Sequence, residues 1–199
     1  MAIAVSCRTA AGAAWRGHVR SRGRQILRVL ALDAAELSVA LVGDPEMRTL
    51  NRRYRHQDRS TDVLAFPTAD AAPRVARMPV VLGDVVISID TAALQARAGR
   101  TSVAARLDAL LIHGVLHLIG YDHEISPAEA GRMSRRAREV RTAIGPAAQT
   151  RPRRPRKPPR AAAAGAAQAD ACALRADASS TPTGRRARGR TGSERRAAR

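Results

Sequence analysis

The chain has 199 residues, enough for one ordinary domain with an extension, and its 35 basic against 17 acidic side chains leave a formal net charge of +18. Such a surplus attracts polyanions, nucleic acid above all, although Lys157 is the one lysine among the basic residues, so an Arg/Ala coding bias contributes to it. Four aromatic residues (Trp15, Tyr54, Phe66 and Tyr121) argue against a single-strand binder built on an aromatic platform, two cysteines argue against a disulfide framework, and no apolar run is long enough to span a bilayer.

In chain order, Ala2–Val5 reads as a first short strand. No basic stretch precedes this apolar start, so no signal peptide is expected and the protein reads as cytoplasmic. From Trp15 to Leu32 the positions of Val19, Ile26, Leu27 and Leu30 fit one helical face, interrupted at Gly17 and Gly23. Glu36–Val42 is a strand by its aliphatic and β-branched content. Asp44-Pro45-Glu46 is a helix start, with Asp44 as cap, and that helix ends near Arg55. Ser60–Phe66 is a short strand stopped by Pro67, and 68–79 a solvent loop. Val80–Ile89 is expected to be loop in its first half and strand in its second. Asp90 and Thr91 are the expected caps of a helix that runs to about Ala98 and closes at Gly99. Thr101 begins the main helix, buried along Val103, Leu107, Leu110, Leu111 and Val115. Ser126-Pro127-Ala128-Glu129 is a capping box for a final helix ending near Gly145-Pro146.

Beyond Pro146 the composition changes. Residues 146–199 hold 14 basic and 3 acidic side chains, against 21 and 14 in 1–145, and almost no large apolar residue. Such a segment buries too little surface to offset chain entropy and is expected to be disordered. Two readings stay open for it, a basic arm on RNA or the ribosome and a tail of biased composition without a role.

The chemistry concentrates in Leu110–Glu124, LLIHGVLHLIGYDHE. His113 and His117, four apart, share a helix face with Cβ atoms roughly 5–6 Å apart. Gly120 offers a helix stop, after which the chain can return His123 to the same point. Three neutral imidazoles with an open fourth position are the usual arrangement of a catalytic zinc. The same histidines and glycine reproduce the HExxHxxGxxH spacing of metzincin proteases, but Gly114 stands where those proteases carry the glutamate general base. A metalloprotease is therefore the second choice.

HGVLHLIGYDH resembles the H-G-x-L-H-L-x-G-Y-D-H signature of the YbeY family of bacterial metallo-endoribonucleases. Upstream, Leu50-Asn51-Arg52-Arg53-Tyr54-Arg55 with Asp58 and Thr61–Pro67 is similar to the family's LN..YR…TDVLSFP segment, with Ala65 where serine is commoner. Leu82–Ser88 is similar to its LGDIVIS segment. The resemblance implies a family domain over residues 1–145. It also implies an α/β (α+β) fold: a small mixed four-stranded sheet packed by about five helices, with the metal site at the end of a central helix. It implies one zinc on His113, His117 and His123, and a single-strand-specific endoribonuclease acting in 16S rRNA 3′-end maturation and ribosome quality control, with the small ribosomal subunit as partner.

In those roles, zinc would bring a bound water's pKa toward ~7. Attack on phosphorus by that water, or by the 2′-hydroxyl it deprotonates, both stay open. Position alone makes Arg55 a surface arginine near the negative end of its helix; the resemblance makes it a phosphate and transition-state contact. Asp122 and Glu124 either orient imidazoles or cap the turn, Asp62 and Asp84 hold turns at strand ends, and Tyr121 packs beside the metal in preference to stacking a base. A third reading is a non-catalytic ribosome assembly factor with structural zinc.

Overall fold

A computed structural model describes residues 2–68 and 81–147. The basic tail and the solvent loop expected over 68–79 thus lie outside the described residues, apart from Thr68, Pro146 and Ala147.

Strands alternate their side chains, and here both faces are used. The order along the chain is β1 (Ala2–Cys7), α1 (Ala10–Val29), β2 (Glu36–Val42), α2 (Asp44–Arg55), β3 (Val63–Pro67), β4 (Val81–Ser88), α3 (Ile89–Ala98), α4 (Val103–Leu118) and α5 (Pro127–Ile144). The sheet order is β1-β2-β4-β3. β1, β2 and β4 run parallel, and β3 pairs antiparallel with β4 at the edge. The expected mixed four-stranded sheet with five helices is therefore what forms. Leu37, Val39 and Leu41 of β2 and Val85 and Ile87 of β4 join the main core with residues of α1, α4 and α5. Val42 and Val86 alternate to the other face, where Met47 of α2 and Leu64 close a smaller cluster. Each such side chain, fully buried, contributes roughly 1.5–3 kcal/mol. Near-continuous aliphatic sequence in β2 and β4 is what a parallel strand covered on both faces requires.

Several boundaries differ from the sequence reading, each for a tertiary reason. α1 starts earlier, capped by Thr9, whose hydroxyl accepts from the Gly12 amide at 3.0 Å. It runs unbroken through Gly17 and Gly23, and at Gly23 a Cβ would meet Ile3 Cδ1 at 2.9 Å, so glycine allows helix and strand to approach. Asp44 is the first helical residue and does not cap α2. Its carboxylate instead accepts from the hydroxyls of Ser60 (2.8 Å), Ser88 (2.5 Å) and Thr91 (2.6 Å), tying α2 to the start of α3. Burial pushes this carboxyl's pKa up, but those hydrogen bonds outweigh it and leave it below the usual value.

The cap of α3 is Ser88, which accepts from the Thr91 amide; Asp90 turns away to accept from the Asp44 amide. Ser102, not Thr101, caps α4. β3 begins at Val63 and includes Pro67, which an edge strand tolerates. β4 is strand throughout, the missing half of its apolar signal being the exposed pair Val81 and Asp84. Asp84 thus lies within a strand opposite Phe66 and holds no turn. The final helix is capped by Ser126 as its sequence predicts.

Candidate metal centre

α4 supplies two histidines because it is amphipathic toward the sheet and ends where they stand. Leu107, Leu110, Leu111, Val115 and Leu118 are buried, while His113 and His117 are half-buried at the margin. The helix stops at Leu118, and Gly120 takes φ +92°, a backbone that L side chains rarely adopt, with its amide donating to the His117 carbonyl. Asp122 then stabilises the turn by accepting from the Glu124 amide at 2.8 Å. The result returns exposed His123 to its fellows. One ring nitrogen from each of His113, His117 and His123 lies within 4.8 Å of the others, and the Nε2 atoms of His113 and His117 are 3.1 Å apart. A tetrahedral ion held at ~2.0–2.1 Å by imidazoles keeps its nitrogens about 3.3 Å apart, so the donor set fits one metal ion.

Proton affinity supports the fit. Burial, followed by the neighbouring His117 and His123, lowers the His113 pKa to about 4. Burial and His123 lower that of His117 as well. Neutral imidazoles at neutral pH present lone pairs, which a metal needs.

Gly114 explains itself structurally. A Cβ there would stand 2.6 Å from Val85 Cγ1, 3.1 Å from Val85 Cγ2 and 3.5 Å from Val63 Cγ2. α4 presses its backbone onto β4 and β3 at that residue, so a side chain enters only if helix and sheet part, and the glutamate of a metzincin would demand the most room.

The histidines open into a cavity of 850 Å³ whose wall includes β3 and the segment after α2. That segment is pinned: Arg48 grips Asp58 through two hydrogen bonds (2.9 and 2.8 Å), and buried Asn51 donates to the Arg59 carbonyl at 2.8 Å. Arg55, the last residue of α2, lines the same cavity and pairs with Glu124 at 3.0 Å, both half-exposed. The structure thus brings together all the site residues singled out from the sequence, Arg55, His113, His117 and His123, along with Tyr121, Asp122 and Glu124. Tyr121 packs against the core, with the Arg132 guanidinium 5.9 Å from its ring centroid. His18 and His56 stand apart: His18 bonds buried Asp108 at 2.8 Å, and His56 terminates α2 in a left-handed conformation.

Two features escaped the sequence reading. Asp62 does hold the start of β3, accepting from the Val63 amide, but its second oxygen also accepts from Arg106 (2.9 Å) and Gln95 (3.1 Å) beside the histidines. Arg106 lies seven residues before His113, two helical turns, so helical spacing held a usable signal for it. The other is the pairing of Tyr54 with Phe66 at the cavity wall, ring centroids 5.0 Å apart.

Among the described residues no helix is long and apolar enough to cross a membrane. Comparison with known proteins agrees with the resemblance read from the motifs. The model of the family described as "Endoribonuclease YbeY" matches residues 13–145. The endoribonuclease YbeY of an Anaeromyxobacter species is 44% identical over 148 residues, 73% of either chain. That of Anaeromyxobacter dehalogenans is 46% identical over 134 residues, 67% of either chain, and that of Geobacter metallireducens 46% over 123 residues, 61% of this chain and 81% of its own. With the family model spanning most of the described fold and all three histidines, the chain belongs to the YbeY family.

Proposed function

We propose that the protein is a zinc-dependent endoribonuclease that cleaves single-stranded RNA, its catalytic domain formed by residues 1–145. The observation that carries this reading is the convergence of His113, His117 and His123 on one point of an open cavity beside Arg55, where Gly114 leaves no room for a protease's glutamate. Membership of a family named for endoribonuclease activity supports it. Within this reading the substrate is the 3′ region of 16S rRNA on the small ribosomal subunit, and the roles are 3′-end maturation and ribosome quality control in the cytoplasm. The motif resemblance supports those assignments, as does the net positive charge, which suits a polyanionic partner.

His113, His117 and His123 would hold the zinc, which would supply Lewis-acid chemistry, the activation of water near neutral pH and the polarisation of a phosphoryl oxygen. The remaining work falls to the chain. Arg55 presents a planar fork to the phosphate and stabilises charge that develops on its oxygens. Each carboxylate lining the cavity, Asp62, Asp122 and Glu124, already has a hydrogen-bonding partner. None stands ready as a metzincin-type base, which suits phosphodiester cleavage better than peptide hydrolysis. Asp62, fixed by Arg106 and Gln95, favours an ordered wall next to His113.

The test pairs metal analysis with cleavage. Purified protein is expected to hold about one zinc, to cut single-stranded RNA carrying the 16S 3′ end, and to leave casein whole. His117→Ala loses both metal and cleavage. A full zinc complement in that variant, or casein cleavage with intact RNA, overturns the reading.

A further inference from the structure

Four aromatic residues are too few for a stacking surface if scattered, but the fold does not scatter them. Tyr54, Phe66 and Tyr121 all line the metal cavity. Tyr121 is packed against the core and serves as wall. Tyr54 is different: it is 50% exposed, although the inward side of α2 is already filled by buried Met47 and Asn51. Phe66 meets it at an interplanar angle of 68° and is itself backed by the cluster of Val42, Met47, Leu64 and Val86. Tyr54 is therefore braced by Phe66, and its ring carries the guanidinium of Arg53, 5.3 Å from the centroid, on an exposed side chain that an arriving base can displace, so a flat group already finds a place against it. Ile125, 71% exposed, adds a second solvent-facing apolar side chain to the same cavity.

We infer that the Tyr54–Phe66 wall is the seat of an unpaired nucleobase in the RNA strand, next to the phosphate held by Arg55. This rests on the endoribonuclease reading and adds the recognition element to it. Tyr54 and Arg55 are consecutive on α2, so they point about 100° apart from one helical turn. One takes the base and the other the phosphate of a nucleotide lying across the turn. A base in a duplex has both faces stacked and its edge paired, so it cannot lie on Tyr54. The seat supplies a physical reason for acting on single strands. It is tolerant of sequence, since every base has a π-face.

The test is binding of a fluorescein-labelled single-stranded RNA octamer to metal-loaded full-length protein, read by anisotropy, with the RNA checked on a gel after each titration. Tyr54→Ala weakens binding about tenfold, while Tyr54→Phe, which keeps the ring, stays within about twofold of wild type. In an abasic scan, one position weakens binding to wild type by the same factor, and that loss disappears in Tyr54→Ala. Should Tyr54→Ala misfold, Tyr54→Leu, which keeps apolar bulk but has no π-face, takes its place in both the titration and the scan. Equal affinity for Tyr54→Ala and wild type, or a scan with no weak position, overturns the seat even where the RNA is cut. A base-sensitive complex whose RNA is never cut supports the seat and refutes the nuclease reading.

Discussion

Gly114→Ala tests the reason for the missing carboxylate. In a helix interior, alanine in place of glycine is worth about 1 kcal/mol in the new residue's favour. Here the added Cβ would lie 2.6 and 3.1 Å from the two methyls of Val85, against an ordinary contact of about 3.4–4 Å. Val85 is fully buried in the central strand β4 and β-branched, so its choice of rotamers is restricted. Helix and sheet must then part by several tenths of an ångström, and with both methyls met at once the overpacking falls in the upper part of the usual range, about 2–3 kcal/mol. The substitution is expected to destabilise the domain by about 1–2 kcal/mol net, a loss of about 2–8 °C in Tm. The decisive comparison is a double-mutant cycle with Val85→Ala, which removes both clashing methyls. In that background Gly114→Ala should be neutral or stabilising, a change of sign read from urea midpoints at constant slope. Gly114→Ala as stable as wild type, or equally harmful in both backgrounds, would refute the packing account and leave the absent glutamate unexplained.

Three other perturbations probe the surroundings of the site. His113 is harder to protonate in the fold, so between pH 6.5 and about 4 the unfolded chain binds a proton that the folded chain resists. Chelator-treated protein is therefore fully stable above about pH 6.5 and loses stability as pH falls toward 4. Solvent access to the ring reduces the loss to about 1–2 kcal/mol, and a urea midpoint as pH-dependent in His113→Gln would sink the assignment. Arg22, buried in α1, bonds Asp108 at 2.9 Å and the carbonyls of Ile144 and Gly145 at 2.9 and 2.8 Å. Arg22→Met leaves the buried Asp108 carboxylate with His18 as its remaining partner and should cost about 2–3 kcal/mol in chemical denaturation, below the full cost of an unpaired buried charge, whereas a loss under 1 kcal/mol would contradict the role. Glu124→Gln releases Arg55 from an exposed ion pair, so stability should move by less than about 1 kcal/mol while KM for RNA falls. An unchanged KM with kcat down a hundredfold would instead make Glu124 a participant in the chemistry.

What was legible in the sequence was what is local. The histidines could be read because their spacing, the helix period and Gly120 act within eleven residues. The core strands β2 and β4 declared themselves through continuous aliphatic runs. Caps were misread where tertiary pairing decides the boundary: β4 pairs with β2 as far as Ser88, and only that makes Ser88 rather than Asp90 the cap of α3. Asp44 has every local mark of a cap, yet its partners lie 16, 44 and 47 residues away. The aromatic count is silent in the same manner, since four residues in a sequence say nothing about three of them meeting at one cavity.

Packing and chemistry at this site share one cause. Because Gly114 has no side chain, α4 can lie directly on β4 and β3, and this close approach sets His113 beside β3, the edge strand among the described residues, where the cavity opens. A glutamate at that position would both force the helix away and misplace the histidine before it. The protease-like spacing and the protease's general base are therefore mutually exclusive on this sheet. Two of the three candidate ligands ride on a helix fixed by the core, with nitrogens 3.1 Å apart, while exposed His123 depends on a turn held by Gly120 and Asp122. Metal affinity should thus be adjusted chiefly through that turn, and the fold's stability chiefly through the face of α4 that carries Gly114.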